Sequence, residues 1–427
     1  MAPAARLPPS AFVPARWPPR LYFGFAHACL FTAFSLIAFD PRGIGGFFYH
    51  PRMLAVVHLV TLGWISSSIL GSLYLVLPLA FRASLPSGRG DFAAFAAWAI
   101  GVSGMVFHFW IDRPKGMAWA AAMVLFVFAF VAARGLAALR GSPLPAPEKR
   151  PLALALANVL LAGMLGVLLG VDKFRPVLPG AHLRTVLAHA HLAALGFATL
   201  MIVGTGYRLL PMVLPAAMPK GPAVRASIVL LEIGALGLFA ALAAMPSLVP
   251  LSALLVLLGI AAFFSRLVWM LRNRRPAPTS RPRPDASVGH VLQSFLYLGL
   301  AAALGFWLAV AEPSEQTLRA TMAYGAFGLV GFLSQLVVGV EARIFPLAAW
   351  LQGHAARGYA DQPPPLDSAA SPKLQLLTLA LWTGGVPSLA VGLACDRPLL
   401  SAAAAGGLAL ATLASATNLL QTSRRLA

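Results

Sequence analysis

The chain has 427 residues, of which 59% are hydrophobic and only 11% are charged, and its formal net charge is +19. Soluble proteins carry about 25% charged residues, so this composition excludes a water-soluble globular domain, a disordered chain and a disulfide-stapled secreted module. The two cysteines, Cys29 and Cys395, lie in or beside apolar segments and offer no disulfide framework or thiolate cluster. An all-α polytopic membrane protein remains, because the apolar runs are long and do not alternate with polar residues.

The chain begins with a proline-rich segment, residues 1–20, which predicts a cytoplasmic leader rather than a cleaved signal peptide. Residues 21–427 are predicted to form a single membrane domain. Apolar stretches of about 18 residues or more mark candidate membrane spans. Twelve such stretches follow one another, at residues 21–40, 51–80, 92–111, 117–138, 152–171, 185–214, 223–245, 248–271, 289–311, 318–350, 374–394 and 398–420.

The basic residues are unevenly distributed between the loops on the two sides of these spans. With the N-terminus inside, 23 of the 32 Lys and Arg residues fall on the cytoplasmic side. This bias satisfies the positive-inside rule and predicts that both termini are cytoplasmic. It also accounts for the net charge without a nucleic-acid partner, and the predicted partner is the lipid bilayer.

Spans 2, 6 and 10 share a residue pattern. Counted from His58 and from His191, Gly recurs at +5 and +13, Tyr at +16 and Pro at +20. Span 10 continues the frame from Ala326, with Gly at +5 and +13 and Pro at +20. The separations of 133 and 135 residues predict three repeats of four helices, at approximately residues 21–140, 151–273 and 288–420.

Twelve helices in three four-helix arcs, with histidines near the outer ends of spans 2 and 6, resemble subunit I of the haem-copper oxidases. The resemblance is to the cytochrome cbb3 and nitric oxide reductase branch. It implies a pseudo-threefold ring with the second, sixth and tenth helices at its centre, in a bacterial-type inner membrane. By position, His58 matches the family's ligand to low-spin haem b, and His191 (or His189) matches a copper ligand. A cytochrome c or another respiratory subunit is the partner that the resemblance implies.

The sequence departs from the family at its copper ligands. Span 10 contains no histidine, and span 7 carries Glu232 where the family has a histidine pair. A complete three-histidine copper site is therefore not expected, and oxidoreductase activity stays open. The prediction is a divergent haem-b protein in electron transfer, or in the binding or reduction of O2 or NO. The alternatives are a non-haem permease or metal-ion pathway on the same scaffold, and a non-catalytic subunit of a respiratory complex.

Four histidines are candidate ligands, because neutral imidazole commonly binds haem iron and other metals. His58 and His191 are in frame and are predicted to bind the cofactor. His189 is two residues from His191, which turns its ring about 200° away, so it is the second choice as a metal ligand. His108 lies at the outer end of span 3, level with His58, and could complete a metal site. Helix packing is the alternative interpretation of each histidine.

Other ionisable side chains in the spans are also candidates, since such residues are rare within a bilayer. Glu232 lies near mid-membrane in span 7 and is the candidate proton relay, the one catalytic residue that we predict. His27 and His290 are interpreted as packing or gating residues. Glu341 is expected to be a helix-end charge with a partner.

Overall fold

The computed structural model describes residues 13–276, 284–359 and 369–426. Within these ranges the chain is helical and contains no β-strand. Twelve of the described helices are long and apolar enough to cross a membrane. They are α1 Trp17–Phe39, α2 Pro51–Phe81, α3 Arg89–Trp110, α4 Pro114–Gly141, α5 Ala146–Asp172, α6 His182–Val213, α7 Pro222–Ala244, α8 Pro246–Arg272, α9 Ala286–Val310, α10 Glu315–Ala356, α11 Pro372–Ala394 and α12 Pro398–Leu426.

The twelve predicted spans are confirmed in number and order, and differ from the helices only at their ends. Helix α1 begins at Trp17, so the last four residues of the predicted leader belong to it, and residues 1–12 of that leader lie outside the described part of the chain. Pro18 and Pro19 do not stop the helix, because a proline in the first turn lacks only an N–H group that would have no helical partner.

Proline also defines where several other helices start. Six of the twelve helices in the described ranges begin at a proline residue. The fixed φ angle of proline suits the first helical position, and its missing N–H is not needed there. The prolines at +20 of the repeated pattern instead lie inside helices, which membrane helices tolerate when neighbouring groups satisfy the freed carbonyl.

The outer surface of the helices is apolar. Large side chains such as Trp119, Phe126, Ile100 and Leu410 are more than 60% exposed. In water, so large a set of exposed apolar side chains would favour aggregation. The same surface suits the hydrocarbon core of a bilayer, which is the environment that the twelve apolar helices indicate.

Helices α2, α6 and α10 each contain a widened, π-helical segment. The segments are Leu59–Ser66, Leu192–Thr199 and Ala326–Ser334. In two of them a hydroxyl group donates to the carbonyl five residues earlier: Thr199 to Ala194 at 2.8 Å and Ser334 to Leu329 at 2.7 Å. Such segments are rare in proteins, and those that occur are often found at functional sites. The first two begin directly after His58 and His191.

The two described ends of the chain meet at the end of α10. The Gln352 side-chain amide donates to the carbonyls of Pro14 and Ala15, at 3.3 and 3.0 Å. The main-chain carbonyl of Leu426 lies against Gly353, the next residue of α10, at a position where any side chain would collide with it. The segment before α1 and the end of α12 therefore lie on the same side of the helix bundle.

Candidate functional site

An internal cavity of about 230 Å³ lies beside the widened segments of α2 and α6. Helices α2 to α6 supply most of its wall, and Leu329 and Leu333 of α10 close it. The lining is predominantly apolar, with side chains such as Val57, Leu62 and Val159. His58 of α2 and His189 of α6 both line this cavity. The fold thus brings two of the four candidate histidines to one space.

His58 is held in a defined orientation. Its Nδ1–H donates to the Leu54 carbonyl at 2.7 Å, and its ring stacks on Phe109 with the ring centroids 4.6 Å apart. Because the proton of the neutral ring is on Nδ1, Nε2 carries the lone pair. No hydrogen bond to Nε2 is formed within the described ranges. This is the state in which an imidazole can bind a metal.

His189 has the same arrangement with a partner on another helix. Its Nδ1–H donates to the Ala162 carbonyl of α5 at 2.9 Å, which also leaves Nε2 as the acceptor nitrogen. The ring lies against Gly166, where an added Cβ atom would be 3.0 Å from His189 Cε1. A glycine at this position therefore gives the ring its room.

A polar cluster lies at the end of the cavity where the loops meet. The Tyr49 hydroxyl donates to His182 Nε2 at 2.6 Å, and His182 Nδ1–H donates to the Asp172 carboxylate at 2.8 Å. The Lys173 ammonium lies 5.2 Å from the centre of the Tyr49 ring. Burial raises the pKa of the Tyr49 hydroxyl, and the carboxylates of Asp112 and Asp172 raise it further, so this group stays protonated as a donor.

These residues were missed by the sequence analysis. Tyr49, Lys173 and His182 line the cavity but are far apart in sequence, and no motif joins them. The available signal was only that each lies just outside an apolar run, where loops of one face can meet.

His191 does not line the cavity. Its Nδ1–H donates to the Leu187 carbonyl at 2.8 Å, and its Nε2 accepts a hydrogen bond of 3.1 Å from the hydroxyl of Tyr324 on α10. The two rings are stacked, with centroids 5.9 Å apart. The residue that the repeated frame favours as a ligand therefore has both ring nitrogens hydrogen-bonded, and His189, two residues earlier, lines the cavity with His58 instead.

His108 is also separate from the cavity. Its Nδ1–H donates to the Gly104 carbonyl at 2.6 Å, and its ring occupies the space above Gly116 of α4, where a Cβ atom would overlap it. This ring fills the contact between α3 and α4.

Glu232 lies at the junction of three helices. Its Oε2 atom accepts a hydrogen bond of 2.8 Å from the side-chain amide of Asn158 on α5. The same amide donates to the Gly196 carbonyl in the widened segment of α6, at 2.9 Å. Glu232 is not among the residues that line the cavity, and its role as a proton relay stays a prediction.

The ionisable group that lies beside Glu341 in the described residues is His27 of α1, whose Nε2 is 3.9 Å from Glu341 Oε2, and not the nearby Arg343. Neither carboxylate oxygen of Glu341 has a hydrogen-bond partner in the described part of the chain, and the residue is 3% exposed. The neighbouring Arg343 binds Asp285 of α9. Since successive helical positions point about 100° apart, a charge two residues away on the same helix faces in another direction.

The donor set limits what the cavity could hold. No group of three or more His, Cys, Asp or Glu side chains that could bind a metal ion occurs in the residues that the structure describes. Two imidazoles are too few for a tetrahedral metal site. They are enough for a haem iron, because the porphyrin supplies four nitrogen ligands and the protein supplies only axial ones. The residues of the cavity therefore fit a haem better than a lone metal ion.

No protein-family model matches the chain, and no curated protein sequence matches it.

Proposed function

We propose that this chain is a membrane haem-b protein and that His58 and His189 are the axial ligands. The main observation in support of this proposal is that both imidazoles line one cavity and that each donates its Nδ1 proton to a main-chain carbonyl. Fixing that proton sets the tautomer and directs Nε2 to the metal. His189 replaces His191 as the second ligand in this proposal, because His191 Nε2 is bonded to Tyr324.

The remaining residues of the cavity have roles that follow from their chemistry. The apolar side chains would cover the faces of the macrocycle and exclude water, which influences the reduction potential. Lys173, His182 and Tyr49 supply a cation and polar groups that would hold acidic substituents at the edge of the cavity. The haem would supply one-electron redox chemistry. If both imidazoles held the iron, no coordination position would be left for a gas, so we propose electron transfer in preference to the binding or reduction of O2 or NO.

A relation between successive repeats supports the choice of His189. His191 bonds to Tyr324, which stands two residues before Ala326, the in-frame position of α10. His58 shares its cavity with His189, which stands two residues before His191. In both cases the in-frame residue of one repeat lies near the residue that stands two positions before the in-frame residue of the next repeat. This holds between the first and second repeats and between the second and third. This supports three four-helix repeats in a pseudo-threefold ring, as in the subunit I of haem-copper oxidases that the sequence resembles.

The orientation in the membrane is part of the proposal. The excess of basic residues favours cytoplasmic termini in a bacterial-type inner membrane, with the histidine cavity toward the outer side. A periplasmic cytochrome c or another respiratory subunit could then exchange electrons with the site.

Absorption and electron paramagnetic resonance spectra of the purified protein test the proposal. We expect a haem-b pyridine haemochrome spectrum and a low-spin ferric signal, because two strong-field imidazoles bind the iron. His58→Ala and His189→Ala should each lose haem or convert it to the high-spin form.

The matched control is His191→Ala, since His191 is on the same helix as His189 and also donates its Nδ1 proton to a main-chain carbonyl, but its Nε2 is bonded to Tyr324. It should keep the low-spin spectrum. A spectrum lost in the His191 variant and kept in the His189 variant would reject our ligand pair. A folded protein without haem, produced in haem-replete cells, would reject the function and favour the permease alternative.

A further inference from the structure

A second cavity lies at the centre of the bundle, between α2, α6 and α10. Its volume is about 90 Å³. The three helices contribute residues at the same offsets of the repeated frame: at +15 these are Leu73, Gly206 and Glu341. Two of these three positions are apolar or lack a side chain. Helix packing around the centre therefore does not require a carboxyl group, and Glu341 needs another explanation.

Glu341 is buried without a hydrogen-bond partner. It is 3% exposed, and both carboxylate oxygens lack a donor among the described side chains and main-chain groups. A buried polar group without a hydrogen-bond partner destabilises the fold, and a charged group does so more strongly. Such a group is retained where water, a proton or an ion can reach it.

His27 of α1 faces the same carboxyl group. Its Nδ1–H donates to the Phe23 carbonyl at 2.9 Å, so Nε2 is an acceptor, and this atom has no hydrogen-bond partner either. Nε2 lies 3.9 Å from Glu341 Oε2, which is too long for a direct hydrogen bond. The edge of the His27 ring meets Trp64, with centroids 5.0 Å apart, and this contact fixes its position.

Hydroxyl groups complete the polar lining of the cavity. Ser68 and Ser72 of α2 and Thr205 of α6 line it, and the Ser68 hydroxyl has no hydrogen-bond partner in the described ranges. A water molecule needs roughly 10–15 Å³ of such space and two to four polar partners. The second cavity therefore has room for several water molecules and has the groups to bind them.

We propose that Glu341 and His27 form a hydrated proton-binding site at the centre of the bundle. The site has two states, a protonated carboxyl group that faces the His27 lone pair and a carboxylate that faces an imidazolium. A proton moves between Glu341 Oε2 and His27 Nε2 through water, and another proton enters or leaves through the hydroxyl-lined cavity. Other titratable or charged groups packed on this part of α10 are His290 of α9, which lies against Gly339, and the pair of Arg343 and Asp285, which bind each other. This site does not depend on haem.

Infrared difference spectroscopy tests the proton site directly. The detergent-purified full chain is titrated with acid and base while the carbonyl stretch of protonated carboxyl groups is recorded in H2O and D2O. We expect a pH-dependent band that shifts in D2O and is lost in Glu341→Gln. Glu232→Gln, which changes the carboxyl group bonded by Asn158, should keep that band.

His27→Phe keeps an aromatic ring against Trp64 and removes the nitrogen. It should keep the band and change its frequency, because the carboxyl group loses its imidazole neighbour. The frequency of the carboxyl band in the His27→Phe variant also tests the proposal if the Glu341→Gln variant does not fold. An unchanged frequency would remove His27 from the site. A Glu341 band that does not respond to pH would make Glu341 a permanently protonated structural acid. A midpoint that moves when choline replaces sodium would make it a cation ligand. Either result overturns the proposal.

Discussion

A buried carboxylate, Asp91, joins three parts of the chain. Its oxygens accept hydrogen bonds from the Tyr74 hydroxyl at 2.5 Å and the Gly88 N–H at 2.7 Å, and they also bind the guanidinium of Arg134. Asp91 is 1% exposed. Its charge is therefore compensated by groups from α2, from α4 and from the residue before α3, and Arg134 also donates to the Pro86 carbonyl.

Asp91→Asn should destabilise the fold by about 3–5 kcal/mol, because it leaves Arg134 partly buried without its counter-charge. Thermal unfolding in detergent measures this effect. The matched control is Glu315→Gln, which breaks an exposed pair with Arg319 and should cost about 0.3–0.5 kcal/mol. Equal effects of the two substitutions would show that burial does not increase the contribution of the Asp91 contacts to the free energy of unfolding.

At the same scale, the sequence predicts which residue types form the candidate site but not which histidine is used. The frame singles out His58 and His191, of which the structure places only His58 at the cavity, and helical geometry predicts that His189 and His191 point in different directions. The choice between those two depends on which helix lies opposite, and Tyr324 of α10 takes His191. That contact joins residues 133 positions apart. No local pattern in the chain reports such a contact.

At the scale of helices, glycines set how closely α5 and α6 approach each other. Gly204 of α6 lies against Pro151 of α5, and a Cβ atom at this position would overlap the proline ring. Gly206 is two residues further on, and its added Cβ atom would make only an ordinary contact of 3.4 Å, with Leu210. The two glycines therefore differ in function although they share one helix.

Gly204→Ala should force α5 and α6 apart and destabilise the protein by about 1–3 kcal/mol, the usual cost of overpacking. Gly206→Ala should leave the thermal midpoint near that of the parent chain. Differential scanning of the two variants in the same detergent measures the contrast. A Gly204 variant as stable as the Gly206 variant would show that the helices can separate without cost.

The existence and order of all twelve helices follow from hydropathy alone, because each must cover the bilayer thickness with apolar residues. The widened segments after His58 and His191 do not follow from it. At the end of each of them a hydroxyl group donates to the carbonyl five residues earlier, Ser67 to Leu62 and Thr199 to Ala194, and Ser and Thr residues make such bonds only when packing permits. The start of α1 was also predicted four residues late, because proline was taken as a stop and not as a first-turn residue.

For the whole molecule, the two native cysteines report the orientation without any added label site. Cys395 is exposed between α11 and α12, and Cys29 is buried in α1. With a cytoplasmic N-terminus, the loop after α11 faces outward. A membrane-impermeant maleimide should therefore modify Cys395 when it is added to intact cells, and the Cys395→Ser substitution should abolish this modification. Labelling that requires permeabilised cells would reverse the proposed orientation of every helix.

The contacts at the end of α10 have a consequence for the connectivity of the chain. Pro14 and Ala15 are bonded to Gln352, and Leu426 lies against the adjacent Gly353. A short peptide linker from Leu426 to Pro14, in place of residues 1–13, could therefore close the described helices into a circle without disturbing the bundle. The circle could then be reopened at an exposed turn, such as the one between α11 and α12, to give a circular permutant with the same helix packing and new ends.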